Sequence, residues 1–85
     1  MDVVELNLAL VDTLQKWDPL RIGEENYETE IADVIQAVHK LTDEEKLAKE
    51  IQFIYEFSYE QIIPLQSCKS VAKQLLSLKE ISECQ

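Results

Sequence analysis

The sequence predicts an all-α fold, a small antiparallel four-helix bundle, on three observations. Only one glycine and two prolines interrupt the 85 residues, so few positions break a helix. Apolar residues make up 46% of the chain and recur at helical spacing rather than in strand-like alternation. The periodic runs are separated by short stretches that carry capping residues or a proline. A chain of this length builds one modest core, so residues 1–85 form a single domain.

The first helix should run from about Asp2 to Trp17. Val3, Leu6, Leu10, Leu14 and Trp17 make its main stripe, and Val4, Leu8 and Val11 widen it past half the circumference. Asp2 with Glu5 resembles a capping box, with Asp in place of Ser or Thr. A face this wide meets either two neighbouring helices or another chain. The helix should stop by Asp18, because Pro19 disfavours the helical region for the residue before it. A Trp17-Asp18-Pro19 turn should then set the angle to the rest of the bundle, with Leu20 and Ile22 tucked inward.

The second helix should begin near Asn26, a good N-cap residue, with Glu28 and Glu30 beside the positive end of the helix dipole. Tyr27, Ile31, Val34, Ile35, Val38 and Leu41 form its stripe, while Asp33, Gln36 and Lys40 face away. Thr42-Asp43-Glu44-Glu45 reads as a capping box that restarts the chain almost at once, which forces a helical hairpin.

The third helix should run to Ile62 or Ile63. Leu47, Ala48, Ile51, Ile54, Tyr55, Tyr59 and Ile62 share one broad face, and Phe53 and Phe57 form a second apolar line. A helix apolar on more than one side is expected inside a protein, so this one should be the central helix. The fourth helix should start with Pro64 as its first residue or with Ser67 as N-cap. Cys68, Val71, Ala72, Leu75 and Leu78 form its stripe, flanked by Leu76 and Ile81, and the tail from Ser82 should fray.

Acidic residues number 17 against 8 basic, a net charge of −9, which argues against nucleic acid and against an anionic membrane surface. No apolar run approaches the ~20 residues of a membrane span. The amino end has no basic residue ahead of its apolar part, so the chain is expected to be cytoplasmic. Cys68 and Cys84, if both lie on the fourth helix, are roughly 24 Å apart at ~1.5 Å per residue, too far for a disulfide. Both read as free thiols.

The motifs of chemistry are missing. His39 is the only histidine, and of its helical neighbours only Asp43 is a credible metal ligand, so no metal is expected. The cysteines have no CxxC spacing, and nothing local activates Cys68 as a nucleophile. One glycine cannot make a phosphate-binding loop, so no cofactor is expected. Asp18, beside Trp17, is the best-placed carboxylate for acid–base work, and its simpler reading is a cap. The cluster Glu24, Glu25, Glu28 and Glu30 either meets a basic partner or offsets the helix dipole.

Trp17-Asp18-Pro19-Leu20 followed by Tyr27-Glu28-Thr29-Glu30-Ile31 resembles the YugE-like family of small Bacillus-type proteins, a domain of unknown function. The likeness continues through Leu47-Ala48-Lys49-Glu50-Ile51, Phe57 and Ile63-Pro64-Leu65. Small proteins with a Trp-Asp-Pro turn also look like some bacterial toxin-immunity proteins. The resemblance implies a compact cytoplasmic helical protein and carries over no catalytic or binding residue.

Two functional readings follow. In the first, the protein is a non-enzymatic module that binds protein, including itself as a homodimer, through the surplus apolar residues Val4, Leu8, Val11, Phe53 and Phe57. The second has two forms: an immunity-type protein against a basic toxin, or a small enzyme or ligand binder with its site near Trp17, Asp18 and Tyr27.

Overall fold

The computed structural model describes residues 2–17 and 28–83. Four helices account for almost all of them: α1 Val3–Trp17, α2 Glu28–Lys40, α3 Glu44–Tyr59 and α4 Leu65–Glu83. Asp18, Pro19, Asn26 and Tyr27 lie outside the described residues, and so does the expected turn between the first two helices.

Local chemistry explains the ends. Asp2 Oδ1 accepts from the Glu5 amide at 2.8 Å, satisfying one of the amides that a helix start leaves without an internal partner. At α3 the cap is Asp43 and not Thr42: its backbone is extended and its Oδ1 accepts from the Glu45 amide at 2.9 Å. The α3 helix ends at Tyr59, earlier than the expected Ile62 or Ile63. Glu60 turns into the left-handed region, φ 56°, ψ 30°, and its amide closes onto the Glu56 carbonyl at 2.8 Å. Glycine usually fills that position because it has no Cβ to clash, so a glutamate there gave no sequence signal. The early stop also overturns the place of Ile62, which is exposed, while Ile63 swings into the core. Gln52 Nε2 donates to the Ile63 carbonyl at 2.7 Å and ties this connection to α3. Pro64 precedes α4, and its carbonyl accepts the amides of Ser67 and Cys68 at 3.0 and 3.2 Å. Neither Pro64 as first residue nor Ser67 as cap describes this start. Helix α4 continues through Ser82 to Glu83, and the rest of the tail expected to fray, Cys84 and Gln85, lies outside the described residues.

The helices alternate in direction. Near the start of α1, Asn7 Oδ1 lies 2.9 Å from His39 Nε2 at the end of α2. At the opposite end, the Tyr59 hydroxyl at the end of α3 meets Glu30 near the start of α2. Lys79, late in α4, donates to the Val38 carbonyl at 2.9 Å and leans toward that of His39. A cation there satisfies terminal carbonyls and opposes the negative end of the α2 dipole.

Going round the bundle, α1 neighbours α2 and α4, and α3 neighbours α2 and α4. A smaller contact joins α2 to α4 across the middle, which leaves α1 and α3 at the far corners, bridged by Trp17 packing on Tyr55. The cross-section is accordingly flattened, with principal extents of 38 × 25 × 16 Å. The core is one cluster in which Leu10, Leu14, Val34, Leu47, Ile51, Tyr55 and Leu75 are sealed from solvent. Helix α3 is not the central element. It buries one broad face and turns Phe53 and Phe57 outward. Helices α2 and α4 each touch all three others, and in α4 the small buried residues Cys68 and Ala72 let neighbours come close.

Candidate interaction surface

Among the described residues, no group of three or more His, Cys, Asp or Glu side chains could hold a metal ion. His39 Nε2 pairs with Asn7, and Asp43 Oδ1 is engaged as the α3 cap, so both members of the ligand pair that the sequence offered take part in other contacts. Cys68 is a free thiol sealed inside the bundle, and burial pushes it up to about 11, away from the thiolate that nucleophilic work requires. Cys84 lies outside the described residues.

The proposed ligand site near Trp17, Asp18 and Tyr27 is represented by Trp17 alone. Its ring is half-buried, 5.4 Å from that of Tyr55 at an angle of 50°, as a core corner packs. The acidic cluster also changes character. Glu24 and Glu25 are outside the described residues, Glu28 is exposed, and Glu30 is only 7% exposed. Glu30 accepts a hydrogen bond from Tyr59 and so belongs to the packing between α2 and α3 rather than to a surface for a basic partner.

The surplus apolar residues are where the sequence and the solvent disagree. Leu47, Ala48, Ile51, Ile54 and Tyr55 take the buried face of α3. Phe53 and Phe57 fall on the other side, and α3 cannot rotate to bury them without exposing Ile51 and Tyr55. They are 61% and 79% exposed and lie against each other, centroids 6.2 Å apart and planes at 28°. Val4 and Leu8 on α1 are 67% and 64% exposed in the same way. Val11 is half-buried and lines the groove between α1 and α2 with Ile31 and Ile35. Phe53 borders the groove on the other flank of α2, beside Asp33, Gln36, Lys40 and Glu50. The structure therefore brings Val4, Leu8 and Val11 together, and Phe53 with Phe57, but holds the two groups apart on either side of α2. Ile62, beyond Phe57, is a further exposed apolar residue that sequence reading missed.

Keeping such side chains in water forgoes about 1.5–3 kcal/mol for each, and apolar groups gathered on a surface mark contact sites.

Comparison with known proteins places this arrangement in a family. The family described as "Domain of unknown function (DUF1871)" matches residues 9–85. The "Uncharacterized protein YugE" of Bacillus subtilis (strain 168) is 51% identical over 75 residues, covering 88% of this chain and 87% of YugE. The crystal structure of APC36109 from Bacillus stearothermophilus superposes with a TM-score of 0.89 at 40% identity, over 92% of this chain and 96% of that one. With the family match spanning nearly the whole bundle and the YugE relative at more than half identity, the chain belongs to the DUF1871 family of small helical proteins.

Proposed function

We propose that this protein is a non-enzymatic module that works by binding another protein, with Phe53 and Phe57 at the centre of its contact surface and Val4, Leu8 and Val11 as a second patch. The observation that carries the reading is the stacked phenylalanine pair held in solvent on a rigid helix. Aromatic side chains on regular structure make contact at low entropic cost, because little has to be ordered on binding. The buried thiol and the occupied histidine support a role without catalysis. A cytoplasmic place suits a free cysteine, and among the described residues no helix is long and apolar enough to cross a membrane. A second reading, an immunity-type protein that binds a basic toxin, draws on the net charge of −9.

The test is site-specific photo-cross-linking in cells, with the reactive residue in place of Phe57 and, as a control, of Ser70, an exposed residue on α4. A discrete adduct from position 57 and none from position 70 is the expected result, with mass spectrometry naming the partner. No adduct from position 57, or the same adducts from both, contradicts it.

A further inference from the structure

The charges around Phe53 and Phe57 are sorted along the bundle. On α3, the exposed residues Lys46 and Lys49 precede Phe53, and the exposed Glu56, with Glu60 at the cap just past the helix end, follows it. On α2, which runs the opposite way, Asp33 precedes and Lys40 follows the Gln36–Ala37 step, and both lie in the groove that Phe53 borders. One end of the α2–α3 face therefore carries Lys40, Lys46 and Lys49, the other Asp33, Glu56 and Glu60, with the aromatic pair between them. Glu50 and the α3 cap Asp43 are the exceptions at the basic end. Glu45 pairs with Lys69 at 3.8 Å on the α4 side, and Glu44 also faces α4. Among the described residues, none of the six sorted charges belongs to an ion pair within the chain.

We infer that this face binds a second copy of the chain, related by a two-fold axis that lies in the contact plane, perpendicular to α3, and passes beside Phe53. The inference rests on reading Phe53 and Phe57 as a contact surface. A symmetric interface uses the same patch on both copies, so the patch must complement itself. About this axis Phe53 meets the partner subunit's Phe53, and residues equally far before and after it face each other. Lys46 and Glu60, the left-handed cap that follows α3, lie about two turns to either side of Phe53, so the axis brings Lys46 to the end of the partner subunit's α3 that carries Glu60. Lys49 likewise falls beside the partner subunit's Glu56 and Phe57. On α2 the same axis passes the Gln36–Ala37 step and sets Asp33 opposite the partner subunit's Lys40. Two helices of unrelated sequence thus place their charge reversal at one level, and only the antiparallel pairing turns both to advantage. An axis parallel to the helices would set lysine against lysine. Two copies of net charge −9 repel at long range, and the sorted face lets them meet where opposite charges oppose. Val4 and Leu8, beyond the other flank of α2, stay outside this contact.

Sedimentation equilibrium of the full chain tests it with two variants, Lys46→Glu/Lys49→Glu and Glu56→Lys/Glu60→Lys. All four positions are exposed, and circular dichroism checks that each variant keeps the fold. The parent is expected to dimerise, each variant alone to associate roughly tenfold more weakly or worse, and their equimolar mixture to recover a dimer at least as tight as the parent's. A lysine-reversed variant that dimerises like the parent overturns the antiparallel pairing. A parent that stays monomeric overturns the second copy as partner. The binding-module reading fails separately, when position 57 yields no cross-link to any protein.

Discussion

Tyr55→Ala is expected to destabilise the protein by about 3–5 kcal/mol, the usual cost of truncating a fully buried aromatic. Among the described residues Tyr55 is the largest side chain sealed from solvent, and its ring lies 5.4 Å from Trp17 and 6.3 Å from Tyr59. It is therefore the group through which α3 reaches the end of α1 across the flattened bundle. Removing it leaves a cavity that cannot collapse without moving two helices, and the lost contacts come on top of the lost transfer energy. Domains of this size have roughly 5–15 kcal/mol to lose. Each kcal/mol moves the midpoint by about 4–8 °C, so the melting temperature should fall by more than about 12 °C. A shift of only a few degrees would mean that Tyr55 is not a keystone of the core. Trp17→Ala should cost less than the full-burial figure, because that ring is only half-buried.

Tyr59→Phe should cost about 1–3 kcal/mol although it removes a single oxygen. The Tyr59 hydroxyl donates to Glu30, and at 7% exposure the Glu30 carboxylate has little water to turn to once the donor is gone. Replacing both partners by apolar groups removes the orphaned acceptor, so Glu30→Met with Tyr59→Phe should cost less than the sum of the single changes, and the double-mutant cycle should show coupling. Thermal or urea unfolding of the four proteins supplies the cycle. Strict additivity would show that the hydroxyl and the carboxylate do not depend on each other.

Much of this architecture is legible in the chain because period and capping are local. Leu6, Leu10 and Leu14 of the α1 stripe and Ile31, Val34 and Val38 of the α2 stripe are buried as their spacing demands, while Val3, expected to lead the α1 stripe, is exposed in the first turn, and Asp2 caps as its position suggests. The end of α3 is not legible, since the residue that turns left-handed is Glu60 and nothing in a glutamate announces that backbone. Nor does periodicity say which helices are neighbours. The stripe of α3 looked central because it was wide, whereas α2 and α4 are the pair that meet across the middle. The candidate surface divides in the same way. That Phe53 and Phe57 leave the core follows from their angular position on α3. That α2 stands between them and the Val4–Leu8 patch follows only from the packing order. The sorting of lysine and glutamate about Phe53 is present in the sequence, yet it acquires meaning only once α2 lies antiparallel beside α3 and repeats it.

The central claim is that Phe53 and Phe57 serve contact and not the fold, and thermal unfolding across a concentration series tests it most directly. The variant is Phe53→Gln/Phe57→Gln, which exchanges two exposed rings for good helix formers. Association raises the melting temperature of a protein as its concentration rises. The parent's melting temperature should therefore climb with concentration, while the variant's stays flat and lies within about 4 °C of the parent's dilute limit, as surface substitutions do. A variant that melts more than about 10 °C below the parent at every concentration would contradict the account, because it would put the two rings in the core.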